Sequence, residues 1–401
     1  MPPISIAPGI YWIGINDRST DLFEGLWPIE REGVSYNYYL ILDEKKVLID
    51  LAKNIKTDEF FSNIAELISP TEIDYVVVNH MEPDHTGTLF TFRQVAPKAT
   101  IIVSPRGKEL LKAFFGITEN VKVVEDGETL NLGQRTLRFF HTPFVHWPET
   151  MMTYEVNSRV LFSCDAFGGY GALRGAIFDD ECPDLEFYKQ EALRYYVTVV
   201  AKFSGPVLRA IDKIKGIEVD VIAPSHGLIW RKNPSAIVEL YKLWASYASS
   251  PGEPAVTLIF GSMYGNTEKF MNAVAQGVSR EGVPVEIFDA ARVHPAYILP
   301  YLWVRRGVII GAPTYEGDLF PPVAHALEMA ALKRVMNKKA AYFGSYGWSG
   351  GALKRLKEII EPLRWELVDS ITFTGRASHE ELKKGEEFGA KFARILKEVT
   401  T

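Results

Sequence analysis

Tyr75-Val76-Val77-Val78-Asn79-His80-Met81-Glu82-Pro83-Asp84-His85-Thr86-Gly87 decides how the first half of the chain is read. The run up to Val78 is apolar and β-branched, which is the composition of a buried strand. The residues that follow carry His80, Glu82, Asp84 and His85, four potential metal ligands within one short segment. Pro83 argues against a regular helix there, so the segment reads as a loop whose side chains splay toward a common point. Loops held by a rigid sheet are where ligands usually sit.

Working outward, three more candidates follow apolar strands. They are His146 in His141-Thr142-Pro143-Phe144-Val145-His146-Trp147-Pro148, Asp165 in Leu161-Phe162-Ser163-Cys164-Asp165, and His226 in Ile222-Ala223-Pro224-Ser225-His226-Gly227. Histidines and an aspartate recurring at strand ends point to one shared site. Four histidines and three carboxylates are the number of ligands that two metals with one bridge require. Zinc is content with imidazole and thiolate, whereas added carboxylates shift a site toward iron or manganese. His141, His294, His325 and His379 fall outside this pattern and read as ordinary polar or packing residues. Cys164 adjoins Asp165, and strand alternation predicts that it points to the opposite face as a structural thiol.

Strands are expected at 10–15, 36–42, 47–50, 75–79, 100–104, 136–140, 151–156, 160–163 and 220–223, with helices at 57–68 and 185–202. This is a set of sheets packed with helices, not one βα repeat. The small-residue, Pro/Gly stretch at 248–254 marks a domain junction, dividing the chain into 1–250 and 251–401.

Beyond that junction the pattern alternates cleanly. Strands at 255–260, 284–288, 307–311, 339–343 and 366–373 are separated by helix-length segments, which predicts a doubly wound, five-stranded parallel sheet. The first of these strands ends in Gly261-Ser262-Met263-Tyr264-Gly265-Asn266-Thr267, a loop leading into a helix. Free backbone N–H groups and the helix dipole make such a loop a phosphate cradle. The bland reading is a helix capped by Asn266 or Thr267. It lacks the Gly-Lys-Ser/Thr end of a Walker loop and is not GxGxxG. Two more strand-end loops agree: Ala312-Pro313-Thr314-Tyr315-Glu316-Gly317-Asp318, and Gly344-Ser345-Tyr346-Gly347-Trp348-Ser349-Gly350-Gly351. Both combine aromatics with glycines, as a planar ring would require.

Composition excludes several classes. At 401 residues the chain has room for two or three domains, counting about 150 residues each. With 47% hydrophobic and 23% charged residues it is an ordinary globular sequence. A net charge of −6 argues against broad phosphate neutralisation on nucleic acid. No run approaches the roughly 18 apolar residues of a membrane span. Two cysteines, Cys164 and Cys182, make no disulfide framework, so a reducing, cytoplasmic setting is expected.

The His-x-Glu-x-Asp-His loop followed by strand-end His146, Asp165 and His226 resembles the metallo-β-lactamase fold, an αββα sandwich. Hydrolases of that fold carry a histidine where Glu82 stands. The resemblance implies that His80, Glu82 and His146 hold one metal, that Asp84, His85 and His226 hold the other, and that Asp165 bridges them. His85 turns away in some members. The loop beginning at Ser262 resembles the phosphate loop of flavodoxins, which implies FMN.

The two halves in this order resemble the flavodiiron proteins over essentially the whole chain, with Gly33-Val34-Ser35-Tyr36-Asn37-Tyr38-Tyr39 and Ser225-His226-Gly227-Leu228-Ile229-Trp230 agreeing as well. That resemblance implies two irons, and reduction of dioxygen to water, of nitric oxide to nitrous oxide, or of both. It also implies a head-to-tail homodimer, or a dimer of dimers, in which the flavin of one subunit faces the metals of the other. The electron donor is then a separate protein such as rubredoxin, or a reduced deazaflavin, because two cysteines cannot form a four-thiolate iron site. Two rivals stand beside this reading: a zinc hydrolase fused to a flavodoxin-like domain, and an electron carrier whose first domain is only structural.

Overall fold

The computed structural model describes residues 1–398 and divides into two compact units, Met1–Ala245 and Ser246–Thr401. The helix Pro234–Ser246 ends at the change of unit, and the Pro/Gly stretch read as the junction follows it directly.

The first unit is built on two sheets. One runs in the order Ile4–Ala7 (β1), Ile10–Trp12 (β2), Tyr39–Ile41 (β3), Val47–Ile49 (β4), Tyr75–Val77 (β5), Thr100–Val103 (β6) and Val121–Val123 (β7). Its first half is antiparallel, and β4 to β7 are parallel. The second sheet contains Thr129–Asn131 (β8), Thr136–His141 (β9), Met151–Glu155 (β10), Val160–Cys164 (β11) and Val221–Pro224 (β12) in that order, antiparallel except for β11 with β12. Strands β3, β4, β10, β11 and β12 are buried at every position. Burial on both faces is what a sheet covered by a layer on each side produces, and it explains their uninterrupted apolar runs. The sheets meet where the Tyr39 ring lies 5.0 Å from that of Phe162 and its hydroxyl donates to the Pro224 carbonyl at 2.7 Å. This is the αββα sandwich.

The single helix expected at 185–202 is interrupted. An α-helix covers Leu185–Tyr195, a wider π turn covers Tyr196–Val200, and a 3-10 turn covers Ala201–Phe203. Thr198 provides the physical reason: its Oγ1 donates back to the Arg194 carbonyl at 2.8 Å and meets the Tyr170 hydroxyl at 2.8 Å. Such back-bonding to the preceding turn opens a helix.

The second unit holds Glu253–Phe260 (β13), Val285–Asp289 (β14), Arg305–Gly311 (β15), Lys339–Tyr346 (β16) and Glu366–Thr374 (β17). They form one all-parallel sheet in the order β14-β13-β15-β16-β17. The reversal of direction at β13 makes a switch point, and ligands of such sheets bind beyond the carboxyl ends of the strands there. Phe270 anchors the core on one face, its ring 4.6 Å from Phe373 and 5.4 Å from Phe343. Among the described residues no helix is long and apolar enough to cross a membrane.

Candidate metal centre and nucleotide cavity

The seven side chains arrive from both sheets of the first unit. His80 and Glu82 follow β5, His146 lies in the connection from β9 to β10, Asp165 follows β11, and His226 follows β12. Asp84 and His85 differ from expectation. Pro83–Thr86 is a single helical turn with Pro83 at its first positions, not a loop. Proline is tolerated there, because the first N–H of a helix has no partner to lose.

The geometry is that of two adjoining clusters sharing one carboxylate. Glu82 Oε2 lies 3.1 Å from Nε2 of both His80 and His146, and Asp165 Oδ2 lies 3.6 and 3.4 Å from the same nitrogens. Asp165 Oδ1 lies 3.1 Å from His85 Nε2 and 3.4 Å from His226 Nε2. Asp84 completes that second cluster, 3.5 Å from His85 and 3.4 Å from His226. His85 therefore faces the centre. Ligand atoms bonded to one ion at about 2.0–2.2 Å sit roughly 3 Å apart along the polyhedron edges, matching these separations. Both carboxylate oxygens of Asp84 and Asp165, both ring nitrogens of His85, and His226 Nε2 are buried without a hydrogen-bond partner. Buried polar atoms are rarely left so, and a pair of cations between the clusters would satisfy them. The donor set thus fits two metals of the iron type.

The electrostatics agree. Burial disfavours charged imidazoles, yet the surrounding carboxylates raise His80 and His226 to about 10, and His85 and His146 to about 9. Burial likewise works against the ionised form of Asp165, but His85, His146 and His226 hold it well below the usual carboxylate range. A pocket that binds protons this tightly is one that demands positive charge.

Two ring orientations are fixed from outside. His226 Nδ1 donates to the Ser35 carbonyl at 2.8 Å, and His80 Nδ1 donates to Glu149 Oε1 at 2.7 Å. Phe23, Tyr36 and Tyr195 pack their rings 5.5–5.6 Å from that of His226 and close its side of the site. The open side is a cavity of about 260 Å³ lined by Phe23, Tyr36, Lys53, Glu82 and Asp84, among others.

Sequence reading missed Glu149 and Glu24. Glu149 follows Pro148 at the end of the His146 loop, and an acidic residue near a ligand histidine was the available signal. Glu24, between the short strands Leu22–Phe23 and Trp27–Pro28, brings a carboxylate oxygen within 4.8 Å of ligand atoms of Glu82 and His146. Only the hairpin's tertiary position reveals it. Cys164 ends its strand at a φ of 55°, and its sulfur lies within 4.8 Å of ligand atoms of Asp50 and His85, outside the two clusters that Asp165 joins. His141 and His294 play the polar roles expected of them, His141 Nε2 against the Val124 carbonyl and His294 as a helix N-cap.

In the second unit the helix Asn266–Arg280 starts directly after Ser262, Met263, Tyr264 and Gly265. Its N-cap is Gly265, at φ 83° and without a capping side chain, so neither Asn266 nor Thr267 caps it. Ser262 Oγ instead accepts from Gly265 N at 3.0 Å, folding the loop into a turn. Thr267 Oγ1 lies 3.0 Å from Ser345 Oγ and ties the first loop to the third. Pro313 precedes a two-residue hairpin in which Thr314–Tyr315 pairs with Asp318–Leu319, and Glu316 and Gly317 form its turn. A cavity of about 470 Å³ opens beside these loops, lined by Thr314, Gly344, Ser345, Tyr346, Trp348, Gly350 and Gly351 and by the unanticipated Thr372. Trp348 is 93% exposed and Tyr264 89% exposed, large rings with no protein surface to cover. A cavity of this volume beyond the carboxyl ends of β15, β16 and β17, with the exposed Trp348 ring in its lining and Ser345 tying it to the uncapped helix through Thr267, suits a mononucleotide bearing a planar ring.

Fold and site together define a flavoprotein oxidoreductase with a carboxylate-rich dimetal centre. Residues 34–227 match the family described as ODP family beta lactamase, and residues 258–389 match flavodoxin. A nitric oxide reductase of Moorella thermoacetica is 33% identical, with 98% of each chain covered. The rubredoxin oxygen:oxidoreductase of Desulfovibrio gigas superposes with a TM-score of 0.93 at 29% identity, covering 99% of both chains. The flavodiiron protein of Giardia intestinalis gives 0.94 at 28% identity, covering 99% of this chain and 97% of its own. The chain belongs to the flavodiiron protein family, whose cofactors are FMN and a non-haem diiron pair. It is an oxidoreductase, and the zinc-hydrolase and electron-carrier readings are set aside.

Proposed function

We propose that the chain reduces a diatomic gas, dioxygen to water or nitric oxide to nitrous oxide, at two irons. His80, Glu82 and His146 would hold one iron and Asp84, His85 and His226 the other, with the Asp165 carboxylate shared between the two groups. The observation that carries this reading is Asp165 itself, which turns one oxygen to each histidine cluster and uses neither in a hydrogen bond. The named relatives from Moorella and Desulfovibrio support the two substrates.

Reduction of dioxygen to two waters takes four electrons, of which a reduced flavin supplies two and two ferrous ions one each. The protein's own contribution is placement and charge. Glu82 and Asp165 balance the cations, and the rings of Phe23, Tyr36 and Tyr195 keep bulk water from the His226 side. The cavity of about 260 Å³ leaves room for a gas molecule at the open side. For FMN, the turn Ser262–Thr267 would receive the phosphate at the helix N-terminus. Pro313, Thr314, Tyr315, Glu316 and Gly317, with Ser345, Tyr346, Gly347, Trp348 and Gly350, would hold the ring.

Each cofactor belongs to its own compact unit, and we read the working enzyme as a head-to-tail homodimer, or a dimer of dimers, in which the flavin of one subunit faces the metals of its partner. Electrons come from rubredoxin or a reduced deazaflavin. Two free cysteines suit the cytoplasm. The test is iron and FMN content of anaerobically purified protein, followed by oxygen- and nitric-oxide-electrode assays with each donor. Bound zinc with hydrolase activity, or no consumption of either gas by the iron- and flavin-loaded protein, would overturn the reading. Activity that persists unchanged on dilution to a monomer would overturn the dimer.

A further inference from the structure

Glu149 is nine-tenths or more buried, and its one ionic partner among the described residues is His80. Its Oε1 accepts from His80 Nδ1 at 2.7 Å and from Met81 N at 3.0 Å, while Oε2 is buried without a hydrogen bond. Its backbone is held too, since Ser104 Oγ donates to the Glu149 carbonyl at 2.7 Å. The carboxylate therefore joins two chain segments that the sequence keeps far apart, the turn carrying His80 and Glu82 and the loop carrying His146.

A buried carboxylate needs a compensating charge close by. With His80 coordinated through Nε2, the ring is neutral and Nδ1–H still points at Glu149. The positive charge nearest to Glu149 is then the metal beyond the imidazole. At the other cluster the equivalent partner is neutral, because His226 Nδ1 donates to a backbone carbonyl, that of Ser35, at 2.8 Å. At His85 the nearest outer carboxylate is Asp50, whose oxygen lies within 4.8 Å of a ring nitrogen, yet neither His85 nitrogen makes a hydrogen bond. Only the His80 position thus has a carboxylate hydrogen-bonded behind its histidine.

We propose that Glu149 is a positioning residue that fixes the tautomer and direction of His80, and that it makes the two metal positions unequal. The His80–Glu82–His146 position binds its metal more tightly and holds it at a lower reduction potential than the Asp84–His85–His226 position. The inference rests on the ligand set proposed above. Iron content of the unaltered protein is measured first, so a failure of that ligand set appears separately.

The test uses the full chain with FMN bound, stripped of iron and titrated anaerobically with ferrous iron against a competing chelator, together with a reductive titration of the loaded protein. Glu149→Gln keeps an oxygen for His80 Nδ1–H and removes the charge. Outer partners of metal-bound histidines are typically worth 10–100-fold in affinity, so one of the two binding steps weakens by about that factor and the other stays within about twofold. The potential of the affected iron rises. Glu149→Asp, which keeps the charge but withdraws it by one methylene, lies between. In a His80→Ala background the further change Glu149→Gln alters nothing, because the ring through which Glu149 acts is gone. A residue that merely held the loop would weaken both steps and would go on doing so without His80. Equal weakening of both steps, an effect that persists in the His80→Ala background, or native affinity and potential in Glu149→Gln would each overturn the proposal.

Discussion

Gly351→Ala isolates the flavin cavity from the rest of the molecule. A Cβ at Gly351 would lie 1.8 Å from the Gly317 carbonyl oxygen and 2.5 Å from its carbon, so the obstacle is backbone and not a side chain that can turn aside. Ordinary contact begins near 3.4 Å, and the loop carrying Trp348 must withdraw from the hairpin carrying Tyr315 by roughly 1.6 Å. Overpacking of this kind costs about 1–3 kcal/mol. If the strain falls on the loop geometry that receives the ring, it corresponds to a roughly 5- to 160-fold weaker Kd for FMN. Gly216, in the first unit and outside both sites, is the control, because a Cβ there meets nothing within 4 Å. The assay is quenching of FMN fluorescence on titration into flavin-stripped Gly351→Ala and Gly216→Ala proteins, with iron content measured in parallel. Weakened FMN binding in the first alone, with iron unchanged in both, is the expected result. Native affinity in Gly351→Ala, or equal loss in Gly216→Ala, would refute the idea that contact between these two loops shapes the cavity.

Three further outcomes follow from the geometry. Without iron, the four site histidines titrate near 9 to 10 against an ordinary 6.5. Their ion pairs therefore stabilise the iron-free fold fully below about pH 6.5, and that contribution is lost as the pH rises through 9 to 10. Iron must displace the same protons, so the gap in Tm between loaded and iron-free protein should widen from pH 6.5 to 10, and a constant gap would contradict this. Asp165→Asn removes the charge shared by the two clusters, and elemental analysis should find one iron or none in place of a pair. An intact pair would mean that Asp165 is no bridge. Phe270→Ala takes away a ring stacked 4.6 Å from Phe373, and denaturant unfolding should show the second unit destabilised by about 3–5 kcal/mol while iron stays bound in the first. Loss of iron together with that core would show the units to be energetically inseparable.

Sequence periodicity and local chemistry reached a long way here. The apolar run of β5 ending in His80, and the alternation of strands and helix-length segments after residue 251, are one-dimensional signals. Strand period, turn residues and ligand type are properties of neighbours along the chain, so the two kinds of sheet, the seven candidate ligands and the three loops of the second unit could be read directly. What local signals misjudged was local geometry under tertiary control. Pro83 begins a helical turn, and Thr198 opens a helix that periodicity alone makes continuous.

The remainder belonged to the tertiary structure alone. That Asp165 gives one oxygen to each cluster, that Glu149 stands behind His80 while a carbonyl stands behind His226, that Glu24 comes over the open side, and that Gly351 meets Gly317 all depend on how segments tens of residues apart are brought together. Distances of 3 Å between such segments are fixed by the packing of sheets, helices and hairpins. A sequence names the side chains able to bind a metal, but only the folded chain determines which oxygen faces which nitrogen.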